Sequence, residues 1–474
     1  MTPTSGAEAT VPDLALDDLG PCFEGAVPGV LCTADAEGLP NVCYVSRAHR
    51  VDRERVAISN QFLSKTSRNL AVNPRASLLL IDPLTYDEFR LQLVWERTER
   101  RGPTFERLRA DIDALAAIVG MQGTFRLRAA DVFRVVELER VPPNPSGTVP
   151  PPAPPPPPAD AQLAALAELT SHMARCGTLD DLLDATLAGL DELLGHQHAY
   201  LLLADADGRS LSTFASRGFD GEAIGAEVEV GVGLVGTAAQ RCVPLRVGNL
   251  RQALKYSSSI RRQYERSGAD VAGAGMDLPS RADAESLLAV PVQALGQLVG
   301  VIVVESPQPI AYGATDEQLL VTVGAVLAQA VDHLRALDRL EDEQARVPRG
   351  PDAEATPTVA AGDPVAVRFY EADGSTFVDG EYLIRGVAGR ILWALLGHHE
   401  REGRVDFTNK ELRLDPSLDL PGFKDNLESR LLLLKRRLDE RGAPVRLVKT
   451  GRGRFRMDVA APLRLEVGPT ATEP

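Results

Sequence analysis

The sequence predicts a multidomain α+β protein with three folded domains. Its 474 residues exceed what one hydrophobic core serves, since a single domain holds about 100–200 residues. Two proline-containing breaks interrupt the chain, and short β-prone runs alternate with amphipathic helical patterns between them. We expect domains at residues 20–141, 160–346 and 364–465, joined by linkers at 142–159 and 347–363.

The two breaks differ in composition. The first, PPNPSGTVPPPAPPPPP, cannot continue a helix or an interior strand and favours an extended polyproline II spacer. The second, VPRGPDAEATPTVAAGDP, mixes proline, small residues and charges without periodicity. Both compositions indicate linkers.

The composition also restricts the class of protein. Hydrophobic residues at 44% and charged residues at 25% argue against wholesale disorder. A net charge of −15 disfavours non-specific binding of the whole chain to nucleic acid, so any such site must be local. Five cysteines without a CxxC pair argue against disulfides and a zinc knuckle. With no signal-peptide pattern at the start, we expect a cytoplasmic protein without a membrane span.

The first domain alternates β-prone runs with the turns AEGLPN and VDRER, which favours an antiparallel β-barrel. After the run AISNQF, the residues Ser64, Lys65, Thr66 and Asn69 offer hydroxyl, ammonium and amide donors beside a helix start. This is the set of groups that a phosphate needs. The alternative is an ordinary surface helix with Ser64 or Thr66 as its N-cap.

The order TADAEGLPNVCYVS, AISNQF and SKTSRNLAVNPRASLLLIDP resembles the pyridoxamine 5'-phosphate oxidase-like family. The resemblance implies a split antiparallel β-barrel that binds FMN, usually across a dimer interface. The C-terminal segment that binds substrate in the true oxidase is not recognisable, so flavin binding is implied but vitamin B6 oxidation is not, and no catalytic residue is assigned. The implied FMN-binding residues are Ser59, Asn60, Ser64, Lys65, Thr66 and Asn69.

The middle domain opens and closes with amphipathic helices around several strands, an α/β sandwich layout. The apolar run Leu287–Val304 is interrupted by proline and glycine, which favours a buried hairpin over a membrane helix. The segments AYLLLADADG, GVGLVGTAAQRCVPLRVGNL and SLLAVPVQALGQLVGVIVVES resemble a GAF domain. That resemblance implies a small-molecule ligand of unknown identity. We expect Cys242 to be a small core residue of a strand, and His196 and His198 to be structural because no third metal ligand is near.

The exit helix of the middle domain carries an apolar stripe at alternating spacings of three and four, the pattern of a coiled-coil seam. The stripe predicts a homodimer, and the alternative is packing on its own domain. Its members are Leu320, Val323, Leu327, Ala330, Leu334 and Leu337.

The last domain places strands before helices and ends in a predicted hairpin, which favours a winged helix. Between residues 424 and 456, eleven Lys and Arg face four acids, a local charge of +7. This basic segment resembles the recognition helix and wing of response-regulator output domains, with VKTGRGRFRM in the wing position. The residues thereby implied to contact DNA are Lys424, Asn426, Arg430, Lys435, Arg436, Arg452 and Arg454.

Two alternatives to DNA binding remain for this domain: protein contacts, or a basic helix that pairs with the acidic domains. For the whole chain, the module order predicts a one-chain sensor and transcription regulator with barrel and GAF inputs and a DNA-binding output. The alternative is an FMN-dependent oxidoreductase with regulatory appendages.

Overall fold

The structure, a computed structural model, describes residues 14–25, 27–61, 63–118, 126–142, 158–205, 208–219, 226–251, 281, 283–344, 364–371, 374–415, 418, 427–451 and 453–468.

The first domain is a curled, seven-stranded antiparallel sheet. Its order is β2-β1-β5-β6-β7-β4-β3, so β2 and β3 form the two ends. Alternation along β1 turns Leu31 into the core, where it meets Leu78 and Leu91. The strands are β1 Gly29–Ala34, β2 Pro40–Val45, β3 Ala48–Arg50, β4 Arg55–Asn60, β5 Arg75–Ile81, β6 Glu88–Glu99 and β7 Ala129–Arg140. The helices are a 3-10 helix Leu16–Glu24, α1 Ser64–Val72 and α2 Pro103–Ile118.

The second domain has a six-stranded antiparallel sheet in the order β10-β9-β8-β13-β12-β11. The predicted buried hairpin is confirmed as β12 and β13. Its strands are β8 His198–Ala204, β9 Ser210–Arg217, β10 Glu227–Glu229, β11 Leu245–Val247, β12 Ser286–Ala294 and β13 Gln297–Ser306. Its helices are α3 Ala159–Met173, α4 Leu179–Glu192, α5 Gly233–Arg241 and α6 Ala314–Gln344.

One glycine fixes how closely α5 approaches the sheet. A Cβ atom at Gly236 would lie 2.2 Å from the carbonyl oxygen of Glu229 on β10, so a larger residue would push the helix away. The glycine-rich sequence GVGLVG therefore serves helix packing here.

The apolar stripe of α6 changes in exposure along the helix. Leu320, Val323 and Leu327 are buried in the core beneath the sheet, whereas Leu337 is 42% exposed. The first half of the stripe therefore packs on its own domain, and dimerisation through the rest of the helix stays a prediction. Among the described residues, Ala314–Leu337 also has the length and apolar character of a membrane span, but a core helix passes the same test.

The described residues of the third domain form two sheets and three helices. One sheet has the order β16-β15-β14-β20, with β14 and β20 parallel, and the other has the order β17-β19-β18. The strands are β14 Val365–Tyr370, β15 Ser375–Val378, β16 Glu381–Ile384, β17 Asp406–Thr408, β18 Val445–Gly451, β19 Arg454–Val459 and β20 Leu463–Val467. The helices are α7 Gly386–Glu402, α8 Asn409–Leu414 and α9 Leu427–Glu440.

Both outer domains pack against the second one. Helix α2 of the first domain contributes Ile112 and Leu115 to an apolar cluster with α5 and the second sheet. The largest cluster runs from the core around α6 into the third domain, where it includes Leu392 and Leu434. The second domain is therefore the common packing partner of the other two.

Candidate functional site

A cavity of about 250 Å³ opens in the first domain where β4 ends and α1 begins. Parts of β6 and β7 form its opposite wall. Its lining residues are Asn60, Leu63, Ser64, Ser67, Leu70, Trp95, Thr98, Arg100, Arg128, Ala129 and Asp131.

The start of α1 forms one wall of this cavity. The N-cap position is Leu63, and no side chain caps the helix, so the predicted N-cap at Ser64 or Thr66 is wrong. The first backbone N–H groups of a helix have no partner within it, and here the hydroxyl-bearing residues Ser64 and Ser67 lie beside them. This wall can donate hydrogen bonds to an anion.

A buried carboxylate organises the opposite wall. Asp131 is 3% exposed, accepts a hydrogen bond from Asn60 Nδ2 at 2.8 Å and accepts another from Thr98 Oγ1 at 2.5 Å. Asn60 Nδ2 also lies 3.0 Å from Ser67 Oγ on α1. The network thus ties the ends of β4, β6 and β7 to the helix.

Two further side chains give the cavity polar character. The indole Nε1 of Trp95 is buried and has no hydrogen-bond partner among the described residues. The register of β6 against β7 shifts between Trp95 and Arg97, and such a bulge re-aims the neighbouring side chains. Arg100 lies exposed just beyond β6 and adds a positive charge. A buried N–H donor and a cation thus face the same space.

The structure brings only two of the six predicted FMN-binding residues, Asn60 and Ser64, into the cavity lining. Lys65 is exposed and does not line it. The other three are buried in internal contacts of the domain. Ser59 Oγ accepts from the backbone N–H of Arg47 at 3.1 Å, Thr66 Oγ1 accepts from Asn41 at 3.1 Å, and Asn69 donates to Thr33 at 3.2 Å.

The sequence did not single out the β6 and β7 residues of the lining. These two strands are separated by α2, so the residues come together only through strand pairing. No local signal marks them, because β6 (EFRLQLVWERTE) carries polar residues along its whole length. The residues missed were Trp95, Thr98, Arg100, Arg128 and Asp131.

The outer face of the first sheet is apolar at one end. Strand register places Tyr44 beside Val30, and Val30 beside Leu79, in one row across β2, β1 and β5. On the edge strand β2, Val42 is 65% exposed and Tyr44 is 74% exposed. Antiparallel sheets usually turn polar side chains to solvent, so this face has the character of a contact surface.

The basic residues predicted to contact DNA have different environments. Arg430 is 5% exposed and donates to Asp205 of the second domain at 3.2 Å. Arg436 pairs with Asp184 of the second domain and with Glu440. Lys435 pairs with Asp439 one turn further along α9, at 2.7 Å. Arg454 is exposed on β19. Three predicted contacts lie outside the described residues: Lys424, Asn426 and Arg452.

Two predictions for the second domain have clear outcomes. Cys242 is exposed and ends α5 in a left-handed conformation with φ of 54°, so its predicted place in a strand is wrong. Partial desolvation by the surrounding chain raises the pKa of its thiol, which disfavours the reactive thiolate. His196 stacks edge-on against Tyr312, and His198 against Phe219, which are structural contacts.

Two parts of the chain match families of known proteins. Residues 18–135 match the family described as pyridoxamine 5'-phosphate oxidase, and this match includes the whole cavity lining. Residues 176–332 match the family described as GAF domain, and this match includes all six strands of the second sheet. A search of curated proteins found no match.

Solved structures similar to parts of the chain include three proteins from different bacteria. The GAF domain of a phosphoenolpyruvate-protein phosphotransferase from Acinetobacter is 23% identical, with 38% of this chain and 97% of that chain covered and a TM-score of 0.30. An FMN-binding protein from Syntrophomonas wolfei is 17% identical, with 27% and 86% covered and a TM-score of 0.23. A free methionine-R-sulfoxide reductase from Neisseria meningitidis, in complex with its substrate, is 19% identical, with 38% and 93% covered and a TM-score of 0.30. The two family matches show that this chain joins a pyridoxamine 5'-phosphate oxidase-like domain to a GAF domain.

Proposed function

We propose that this protein is a sensory regulator whose first domain binds FMN, whose GAF domain binds a small ligand, and whose third domain is a winged helix that binds DNA. The observation that carries the proposal is the cavity at the start of α1. It lies in the part of the chain that matches the pyridoxamine 5'-phosphate oxidase family, and its polar groups suit an anionic, aromatic ligand.

The donor groups of the cavity fit FMN. The uncapped start of α1, with Ser64 and Ser67, would hold the phosphate, and Arg100 would add charge-assisted hydrogen bonds. The unpartnered Nε1 of Trp95 would donate to a polar atom of the cofactor. Bound FMN supplies redox chemistry, and the chain's own residues bind and orient it.

The volume of the cavity supports a dimer. Sites for small ligands usually enclose about 300–1,000 Å³, and about 250 Å³ is too small to enclose FMN completely. A second protomer would supply the remaining wall. The apolar face that includes Val42 and Tyr44 is the surface we assign to that contact, because packing there would bury both side chains.

The test compares two charge deletions in the full-length protein. With FMN added, Arg100→Ala should weaken cofactor affinity about 10- to 100-fold, because a hydrogen bond to a charged group contributes about 1.5–3 kcal/mol. Lys65→Ala, the matched control, should change affinity by less than about threefold, because Lys65 does not line the cavity. Visible absorbance and fluorescence titration measure both.

Three outcomes of this titration are informative. A wild-type protein that stays colourless and ignores added FMN would contradict the flavin proposal. A loss of FMN affinity confined to Lys65→Ala would support FMN binding but would place the phosphate outside the cavity. Steady NAD(P)H oxidation by the FMN-loaded protein would favour an oxidoreductase over a sensor.

The proposal of DNA binding rests on the third domain alone. Helices α7, α8 and α9 precede the hairpin β18–β19, and this order supports the proposal of a winged helix. The segment 424–456 is basic in an otherwise acidic chain, so phosphate contacts would be local to it. Arg454 on the hairpin is exposed and suits a phosphate contact.

A further inference from the structure

Helix α9 faces the GAF domain with the side chains expected to face DNA. Arg430 Nη2 lies 3.2 Å from Asp205 Oδ2, at the end of β8. Six residues further along α9, Arg436 pairs with Asp184 of α4. The two arginines thus contact separate elements of the same domain. The two ion pairs therefore hold α9 in one position against that domain and also neutralise its positive charge there.

These contacts remove the arginines from solvent. The side chains of Arg430 and Asp205 are 6% and 12% exposed, and that of Arg436 is 17% exposed. A phosphate oxygen needs access to the guanidinium N–H groups, and the packing of α9 on the GAF domain covers them. Arg430 therefore cannot contact a DNA backbone while Asp205 holds it.

A third carboxylate of the GAF domain meets the third domain at another helix. Gly386 is the first residue of α7, and a Cβ atom there would lie 2.5 Å from Glu227 Oε1. A carboxylate at a helix N-terminus interacts favourably with the helix dipole. We call Asp184 and Asp205, the two carboxylates that contact α9, the acidic surface of the GAF domain.

We infer that the acidic surface occupies the DNA-binding side of α9, so that the docked chain and the DNA-bound chain exclude each other. This inference rests on the proposed DNA-binding function and adds its regulation. The carboxylates of the acidic surface take the place of DNA phosphates, and DNA binds only the fraction of molecules in which α9 has left the GAF domain.

Docking of α9 on the GAF domain lowers the apparent affinity for DNA by a defined factor. The apparent dissociation constant for DNA equals the intrinsic constant divided by the undocked fraction. Any ligand that binds the undocked form more tightly than the docked form therefore raises DNA affinity, and DNA raises the affinity for that ligand by the same factor. The GAF domain and the first domain, which packs on it, are both placed to provide this coupling.

The experiment measures binding of the full-length protein to a random-sequence DNA duplex at two salt concentrations. Asp184→Asn combined with Asp205→Asn should tighten binding about tenfold or more, since each tenfold corresponds to about 1.4 kcal/mol of docking free energy. The control pair Asp160→Asn and Glu168→Gln removes the same charge from exposed positions of α3 and should change affinity by less than about twofold. Arg454→Ala should weaken binding in either background.

The outcomes separate the inference from the proposed function. Equal affinity of the wild type and the Asp184/Asp205 variant, both weakened by Arg454→Ala, would overturn docking and keep DNA binding. Absence of binding in every variant, or binding that ignores Arg454 and salt, would overturn both. If the double change prevents folding, Asp184→Asn alone gives the same comparison, because the Asp184 side chain is 57% exposed.

Discussion

At the scale of single residues, the cavity depends on one acid. Asp131 is almost fully buried, and a buried carboxylate is costly unless donors satisfy it. Asn60 and Thr98 supply those donors from two neighbouring strands. In return, the acid fixes the rotamers of both side chains, so the wall of the cavity is rigid before any ligand arrives.

Replacing this acid should destabilise the first domain. Asp131→Ala leaves the Asn60 amide and the Thr98 hydroxyl without their acceptor, and we expect a loss of about 1–3 kcal/mol in the free energy of unfolding. Urea unfolding measures it. The control Glu137→Ala changes an exposed acid on the same strand and should stay within about 0.5 kcal/mol of the wild type. A comparable effect of both changes would contradict the role of Asp131.

The residues that the sequence predicts well are those of one local motif. Asn60 and Ser64 are four positions apart, so a resemblance over a short stretch locates both. Trp95 and Asp131 are brought together by the pairing of β6 with β7, which no local pattern encodes. Lys65 shows that a local motif does not predict where each side chain points. Ser64 lines the cavity and Thr66 is buried in the domain, whereas Lys65, between them, faces solvent.

At the scale of elements, α2 belongs to two cores at once. Leu108 packs with Ala57 and Val132 against the first sheet. One turn later, Ile112 packs into the cluster of the GAF domain. A helix inserted between two strands of the first domain therefore completes the packing of the second.

Two truncations on α2 should act on different domains. Leu108→Ala and Ile112→Ala each remove a side chain with 0% exposure and should each cost about 2–5 kcal/mol. Hydrogen exchange should quicken in β4 and β7 for Leu108→Ala, and in α5 and β11 for Ile112→Ala. Each variant is the control for the other. Identical exchange patterns would contradict the division of α2 between the two cores.

Sequence patterns predicted whether a segment is a helix or a strand better than they predicted what that segment packs against. The hairpin β12–β13 follows from two apolar runs around a turn. The stripe of α6 fitted both a coiled coil and a core helix, since both use the same spacing. Cys242 was placed in a strand because nothing local marks a left-handed helix end at a cysteine.

At the scale of the whole molecule, an ion cluster joins the first domain to the GAF domain. Arg246 pairs with Glu24 at 2.6 Å and with Glu317 at 2.9 Å, and Arg107 donates to Glu317 and lies near Asp111. These side chains are between 10% and 22% exposed. Partly buried pairs that share partners in this way are costly to break one partner at a time, so the two domains should separate only as units.

The pH dependence of stability should reflect the ionisation of His49, which lies near this ion cluster. Burial lowers the pKa of His49, with Arg107 and Arg246 acting in the same direction and Asp111 and Glu317 opposing it. Because the folded pKa lies below the unfolded value of about 6.5, the stabilisation is present above that pH and is lost as the pH falls through the folded pKa.

Thermal unfolding between pH 8 and pH 5 tests this prediction. The melting temperature should fall with pH, and His49→Gln should make that fall smaller. Burial also lowers the pKa of His196, so His196→Gln should remove a further part of the fall, and the double variant should remove most of it. An unchanged slope in the double variant would contradict the assignment.

The parallel pairing of β14 with β20 has a consequence for synthesis. Arg368 and Glu466 meet across these strands although they are 98 residues apart in the chain. A contact between residues so far apart in sequence forms late, whereas the last strand of the GAF sheet ends at Ser306. At about 5–20 residues per second on the ribosome, the carboxylates that receive α9 would be in place several seconds before that helix emerges. The nascent third domain would therefore meet the acidic surface of the GAF domain as soon as α9 emerges.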